Sequence, residues 1–336
     1  MKKVLVIYTG GTIGMVKDKH SGALLPFDMS KIHETLPVLK EFNCILDSFR
    51  LDPIIDSANM NPQYWLKLVN VIEKNYNLYD SFIVLHGTDT MSYTASMLSF
   101  MLENLQKTII LTGSQLPLGM IRTDGRDNII GAVEIACTDL VKIPEVCIFF
   151  EDKLYRGNRT TKINAEYFEA FYSGNYPSLA KVGINITYKK HLFLPFPEKD
   201  FKAYNKLDDN VALIKLYPGL NKEYLKSILK IKGLRGVVLE TFGAGNAPTE
   251  KWFIDLLKKA IKNDIYIYNV TQCKSGSVVM GHYETSAHLM EIGVISGKDI
   301  TTESAIAKMM FCLGNFQNRE DITKMLSSSL RGEISE

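Results

Sequence analysis

The chain has 336 residues, of which 46% are hydrophobic and 23% charged, and its formal net charge is +2. That length allows two packed domains or one large one. The mixed charges give no clustered basic field of the kind that nucleic acid attracts. Five scattered cysteines (Cys44, Cys137, Cys147, Cys273, Cys312) lack the spacing of a disulfide framework or a zinc site. No apolar run reaches the about 18 residues of a membrane span. Cytoplasmic residence is the expectation, with no membrane and no nucleic acid as partner.

Val4–Tyr8 reads as a first buried strand behind Lys2-Lys3. The same stretch mimics a secretory signal, but its apolar run is too short and breaks at Gly10-Gly11. Pro62–Tyr76 reads as a helix, with Trp65, Leu68, Val69 and Ile72 recurring on one face. Ser81–Leu85 is a strand, Thr94–Leu105 a helix, Thr108–Leu111 a strand, Arg126–Thr138 a helix and Val146–Phe150 a strand. Near-continuous apolar strands between helices predict an α/β fold with a mostly parallel open sheet covered on both faces. Lys189–Asn210 is rich in Pro, Lys and Asp and breaks the period. The alternation resumes with strands at Val211–Leu216, Gly236–Leu239 and Ile265–Asn269. Helices follow over Lys222–Lys230, Glu250–Lys262, Thr285–Gly293 and Thr302–Gly314. The expected organisation is a larger domain over 1–190, a linker over 191–210, and a smaller Rossmann-like α/β domain over 211–336.

In open parallel sheets the working face lies at the carboxyl ends of the strands. Four expected strands run into polar or glycine-rich turns there: Thr9-Gly10-Gly11-Thr12, His86-Gly87-Thr88-Asp89-Thr90, Thr112-Gly113-Ser114-Gln115, and Glu151-Asp152 before "YRGNRTTK". Gly10-Gly11-x-x-Gly14 is not the dinucleotide fingerprint. No convincing second strand carries the acidic residue that the fingerprint needs, and no phosphate-binding G-x-x-x-x-G-K-[ST] is present. The glycines instead allow a sharp turn and close approach to a ligand. The histidines do not pair at ligand spacing with an acid or cysteine, so neither metal nor cofactor is called for. His86 reads as a packed supporting residue. Threonine, aspartate and lysine remain. A hydroxyl needs a base to act as nucleophile near neutral pH, and Lys162 or Asp89 can serve or support one. Spacing leaves the choice of nucleophile open between Thr12 and Thr88.

"YTGGTIGM" (8–15) and "HGTDTM" (86–91) closely resemble the two signature motifs of the bacterial-type L-asparaginases. The resemblance continues through "DSANM" (56–60), "LTGSQLP" (111–117), "TDGRDN" (123–128), "RGNRTTK" (156–162), "FGAGNAP" (242–248) and "TQCKSG" (271–276). It spans most of the chain, and its wording is most similar to the cytoplasmic, type I branch. The resemblance implies Thr12 as primary nucleophile on a mobile loop, with Thr88, Asp89 and Lys162 as the supporting relay. It implies that Asp56 and Ser57, with Thr88 and Asp89, hold the α-carboxylate and α-ammonium of the substrate. Backbone N–H groups near Thr12 and Thr88 would stabilise the oxyanion. The implied activity is hydrolysis of L-asparagine to L-aspartate and ammonia through a β-aspartyl ester. The implied assembly is a homodimer, often paired into a tetramer, in which the second domain completes the site of a neighbouring copy.

Two departures from the family pattern stand out. Many relatives carry a tyrosine on the loop after the first threonine. Residues 15–26 have none, and Leu24 or Leu25 is expected in its place. Some type I relatives have an effector site for asparagine, with an arginine where Glu240-Thr241 stand here, and Cys273 reads as a core cysteine. Three other functions share the pattern. A glutaminase-asparaginase differs by one methylene of substrate. A partner-dependent amidotransferase subunit usually carries an extra domain before its first motif. A non-catalytic amino-acid sensor would be expected to lose Thr12, Thr88 or Lys162.

Overall fold

A computed structural model describes residues 1–17, 24–26, 32–281 and 284–335. The chain divides into two compact units, Met1–Asn205 and Lys206–Glu336. The first is built on one sheet of eight strands: β1 (Lys2–Tyr8), β2 (Cys44–Arg50), β3 (Ser81–Leu85), β4 (Thr108–Thr112), β5 (Val146–Phe150), β6 (Lys153–Arg156), β7 (Ala180–Val182) and β8 (Ile186–Tyr188). Their order is β8-β7-β6-β5-β4-β3-β1-β2. The strands β2-β1-β3-β4-β5 are parallel, and β6, β7 and β8 add on antiparallel. The mostly parallel sheet and the α/β class agree with the sequence pattern.

Helices α1 (Pro62–Asn75), α2 (Met91–Met101) and α3 (Gly125–Cys137) cover the sheet. The reason is visible in the strands. All five residues of β3 and all five of β5 are buried, so neither face can be left to water. Helix α1 begins with Asn61, whose Oδ1 accepts from the Gln63 and Tyr64 amides at 3.1 and 3.4 Å, and with Pro62 in the first turn. Helix α2 starts at Met91, three residues before the expected Thr94. Its hydroxyl residues hid the start, because Ser92, Ser96 and Ser99 are buried along with the apolar ones. Ser96 and Ser99 satisfy their hydroxyls by donating to the carbonyls one turn back, at 2.7 and 2.8 Å.

Strand β2 lies in a stretch where the sequence showed no strand. It is the sheet edge, paired to β1 from Lys2↔Cys44 to Tyr8↔Arg50, and its last four residues are exposed. An edge strand buries little, so its apolar signal is weak. A second strand therefore follows the first glycine turn after all, and the dinucleotide reading fails on the glycine pattern alone.

The expected linker is held against the first unit up to Asn205. Leu192 and Leu194 bond Arg156 and Glu145, Phe201 stacks on Tyr76 with ring centroids 3.7 Å apart, and Lys202–Ala203 pairs with Leu102–Glu103. The second unit has a parallel sheet, β9 (Val211–Lys215), β10 (Gly236–Thr241), β11 (Tyr266–Thr271) and β12 (Ile295–Ser296), in that order. Its core joins Val237, Leu239 and Ile267 to Leu225, Phe253, Leu257 and Leu289 of the covering helices. Lys308 and Glu333 form an ion pair at 2.7 Å with both side chains fully buried, which anchors the C-terminal tail. Cys273 is exposed, not in the core: it lies two residues past the end of β11, where the chain has left the sheet.

Arg156 of β6 meets Glu145, just before β5, at 2.6 and 3.2 Å, and Glu145 also accepts the Leu194 amide at 2.6 Å. Both side chains are buried, so removing one partner strands a charge. Glu145→Ala is expected to cost about 3–5 kcal/mol in urea unfolding. Adding Arg156→Met should recover part of that loss.

Candidate active site

The order β2-β1-β3-β4-β5 contains a topological switch point: the chain leaves β1 to one side for β2 and returns on the other side as β3. The crevice at the carboxyl ends of β1 and β3 is where such sheets bind ligands. Register brings the turns to one level. Tyr8 is the Cα partner of Leu85, and Leu85 of Thr112. The pairing continues past the strand ends, with the Thr9 amide bonded to the Leu85 carbonyl at 3.0 Å and the His86 amide to the Thr112 carbonyl at 2.9 Å.

The first two turns touch backbone to backbone. Gly11 has φ 88°, and a Cβ there would sit 2.5 Å from Gly87 Cα and N. Only glycine permits that approach. Thr12 and Thr88 each follow one of these glycines, so the two candidate nucleophiles flank the contact. Thr12 opens a 3₁₀ turn over Thr12–Gly14, supported from below by Tyr8, whose hydroxyl donates to the Gly14 carbonyl at 3.1 Å. Burial pushes the Tyr8 phenol up to about 12, with the Arg50 charge pulling the other way, so it stays a donor.

Asp56 and Ser57 come to the same edge. The Ile55 amide bonds the Thr9 carbonyl at 3.0 Å, and Thr90 Oγ1 donates to the Ser57 carbonyl at 2.8 Å. Asp56 caps the short turn Ser57–Asn59 by accepting the Ala58 amide at 2.8 Å, and its side chain is exposed while Ser57 is buried.

Lys162 is far away in sequence and arrives by a fold-back. After β6 the chain turns at Gly157, where a Cβ would lie 2.9 Å from both the Ala95 Cβ and the Val146 carbonyl oxygen. It then climbs along α2 toward that helix's start: Thr160 Oγ1 lies 3.3 Å from Ser92 Oγ. Two residues on, Lys162 Nζ stands 2.8 Å from Thr88 Oγ1 and 2.7 Å from Asp89 Oδ1. Asp89 sits just before the α2 N-terminus, which favours its negative charge.

Two residues that the sequence reading did not single out complete the arrangement. The Thr88 hydroxyl donates to Gln115 Oε1 at 3.2 Å. Gln115 Nε2 donates to the Tyr167 carbonyl at 3.2 Å, which fixes the orientation of the amide. Asp124 holds the Gln115 turn by accepting the Gln115 and Leu116 amides at 2.9–3.1 Å. Thr94 and Trp65 form a second network with His86. Gln115 and Asp124 fall inside the quoted motifs "LTGSQLP" and "TDGRDN", which was the signal available. Trp65 read only as part of an apolar helix face and Thr94 only as a helix start, with no sign of a polar network.

His86 is fully buried. Burial pushes its pKa down to about 4, against the upward pull of its bond to the Gly87 carbonyl. The side chains of Leu24 and Leu25, and residues 18–23, lie outside the described residues, so the place expected for the missing tyrosine does too.

A hydroxyl beside a lysine amine that is itself paired to a carboxylate is the kind of constellation that activates an alcohol nucleophile. Set at the switch point of a doubly wound sheet, it marks a hydrolase of the acyl-transfer type. Residues 3–193 match the family described as Asparaginase, N-terminal, and residues 210–326 match Glutaminase/Asparaginase C-terminal domain. The chain belongs to the asparaginase family. It is 39% identical to L-asparaginase 1 of Escherichia coli over 99% of this chain and 98% of that one. It is similar to the crystal structure of L-asparaginase I from Vibrio cholerae, with 37% identity, a TM-score of 0.90, and coverage of 100% of this chain and 99% of that one. The thermostable L-asparaginase from Thermococcus kodakarensis is 29% identical, with a TM-score of 0.92 and 99% of each chain covered.

The depressed His86 pKa has a stability consequence. Native His86 stays neutral to about pH 4, whereas an unfolded histidine takes a proton near 6.5. Stability from this group is therefore complete above pH 6.5 and is lost as pH falls toward 4, by up to about 1.4 kcal/mol per pH unit. Urea unfolding at pH 7, 6 and 5 should show that decline.

Proposed function

We propose that this enzyme hydrolyses the side-chain amide of L-asparagine through a threonine acyl-enzyme. The carrying observation is the contact of Lys162 with both Thr88 and Asp89, and the close approach of Gly11, just before Thr12, to Gly87, just before Thr88, supports the same reading. Thr12 Oγ attacks the carboxamide carbon while its proton is taken up through the Thr88–Lys162–Asp89 relay. Ammonia leaves with a proton and a β-aspartyl ester remains. Water then attacks the ester and gives up a proton through the relay to the departing Thr12 oxygen, which restores the hydroxyl and releases L-aspartate. Asp56, Ser57, Thr88 and Asp89 orient the α-amino and α-carboxylate groups, so that binding energy aligns the amide with the nucleophile. Amides near Thr12 and Thr88 receive the developing oxyanion.

The working form in this reading is a homodimer or dimer of dimers, the C-terminal unit of one copy covering the site of another. The openness of the site in a single copy supports this, since the Asp89 side chain is 63% exposed. Cytoplasmic residence fits the five free thiols.

Ammonia release from L-asparagine and L-glutamine is the test. Saturable turnover of asparagine is expected, with kcat/KM for glutamine lower. Thr12→Ala and Lys162→Met should each lower kcat on the order of 100-fold or more. A Thr12→Ala enzyme with wild-type turnover overturns the nucleophile assignment. Dilution below the dimer dissociation constant should abolish turnover, followed by activity and sedimentation on the same samples.

A further inference from the structure

Beneath the Thr88 turn runs a chain of three buried polar side chains that the reaction scheme does not use. Trp65 Nε1 lies 3.0 Å from Thr94 Oγ1, Thr94 Oγ1 lies 2.9 Å from His86 Nε2, and His86 Nδ1 lies 2.7 Å from the Gly87 carbonyl oxygen. Thr94 and His86 are fully buried and Trp65 is 6% exposed. Burial keeps the imidazole neutral, and a neutral imidazole leaves one way to protonate the chain. An indole N–H only donates, and a carbonyl only accepts. Trp65 therefore donates to Thr94, Thr94 donates to His86 Nε2, and His86 carries its proton on Nδ1 and donates to Gly87. Every group in the chain is then satisfied.

The Gly87 carbonyl and the Thr88 N–H belong to one planar trans peptide and point in opposite directions. Pinning the carbonyl toward the interior aims the Thr88 amide outward, away from His86. That amide donates to no group among the described residues. We propose that His86 is a positioning residue for the hydrolysis: held in one tautomer by Thr94 and Trp65, it locks the Gly87–Thr88 peptide and presents the Thr88 N–H as a preorganised oxyanion donor. The inference rests on the reaction proposed above. Preorganisation matters because an oxyanion donor contributes only if it already faces the position where charge develops. Without a donor to Nε2, the imidazole can move its proton to Nε2. Nδ1 then presents a lone pair to the Gly87 oxygen and repels it, and the peptide is free to rotate.

The test pairs Thr94→Val, which keeps the volume and removes the hydroxyl, with Thr94→Ser, which keeps the hydroxyl. Thr94→Val should lower kcat for asparagine tenfold or more with KM within threefold of wild type. It should weaken inhibition by the β-aldehyde of aspartic acid, whose tetrahedral adduct needs the oxyanion donor, by a similar factor. Inhibition by L-aspartate should change less than threefold. Thr94→Ser should restore kcat to within threefold of wild type. A smaller fall in kcat, a loss carried by KM, equal weakening of the two inhibitors, or no rescue by serine overturns the proposal. Nitrogen NMR of His86 in the wild-type enzyme gives an answer that needs no variant to fold: Nδ1 protonated and Nε2 bare from pH 5 to 8 is expected, and an Nε2–H tautomer overturns the proposal. Wild-type turnover and the Thr12→Ala result judge the underlying reaction separately.

Discussion

Two backbones without side chains between them set the geometry of this enzyme. Gly11 lies against Gly87 at a distance that a single Cβ would close to 2.5 Å. The candidate residues Thr12, Thr88, Asp89 and Lys162 are arranged around that contact. It requires β1 and β3 to be neighbours, to run parallel, and to end at the same level, which the pairing of Tyr8 with Leu85 provides. A slip of one residue would turn every side chain of β1 to the opposite face and separate the turns. The buried apolar faces of the sheet resist such a slip, so packing in the core holds the register of the active edge.

Helix α2 has two tasks that pull its composition in different directions. It fills the space over the sheet with Met97, Leu98 and Phe100. It also carries Ser92 and Thr94, whose hydroxyls serve the segment leading to Lys162 and the ring of His86. Buried hydroxyls are costly unless bonded. Here they are bonded, to Thr160 and to His86, and each bond reaches an element that carries or positions a group next to Thr88. The same helix supplies the N-terminus near Asp89. One element therefore couples the lysine, the carboxylate and the turn of Thr88.

Polar groups in this unit are used in closed sets. Glu145, Arg156 and the 192–194 backbone form one, and Asp124, Asn128 and the Gln115 turn form another. Asn128 also accepts the Glu151 amide at 2.8 Å, linking the turns after β4 and β5. Satisfied networks of this kind rigidify loops that apolar packing alone would leave loose. That is how a sheet edge made of turns holds side chains at fixed distances.

The central strands, their helices and the candidate residues Thr12, Thr88, Asp89 and Lys162 could be read from the chain, because buried parallel strands are apolar and turn chemistry is local. Glycine and threonine after a strand state a sharp turn and a hydroxyl wherever the strand lies. The edge strand β2 and the hydroxyl-rich first turn of α2 could not be read. Their residues look like surface, and only the neighbours decide that β2 is half covered and that Ser92 is buried. The relation of Lys162 to Thr88, 74 residues apart, was implied by the family resemblance and could not be derived from spacing, for the same reason. The bond from Thr88 to the amide of Gln115 was beyond the sequence too. Local patterns determine which groups a chain can offer. The order and register of strands, and the fold-back along α2, decide which of them meet, because a contact between distant segments depends on the packing of everything between.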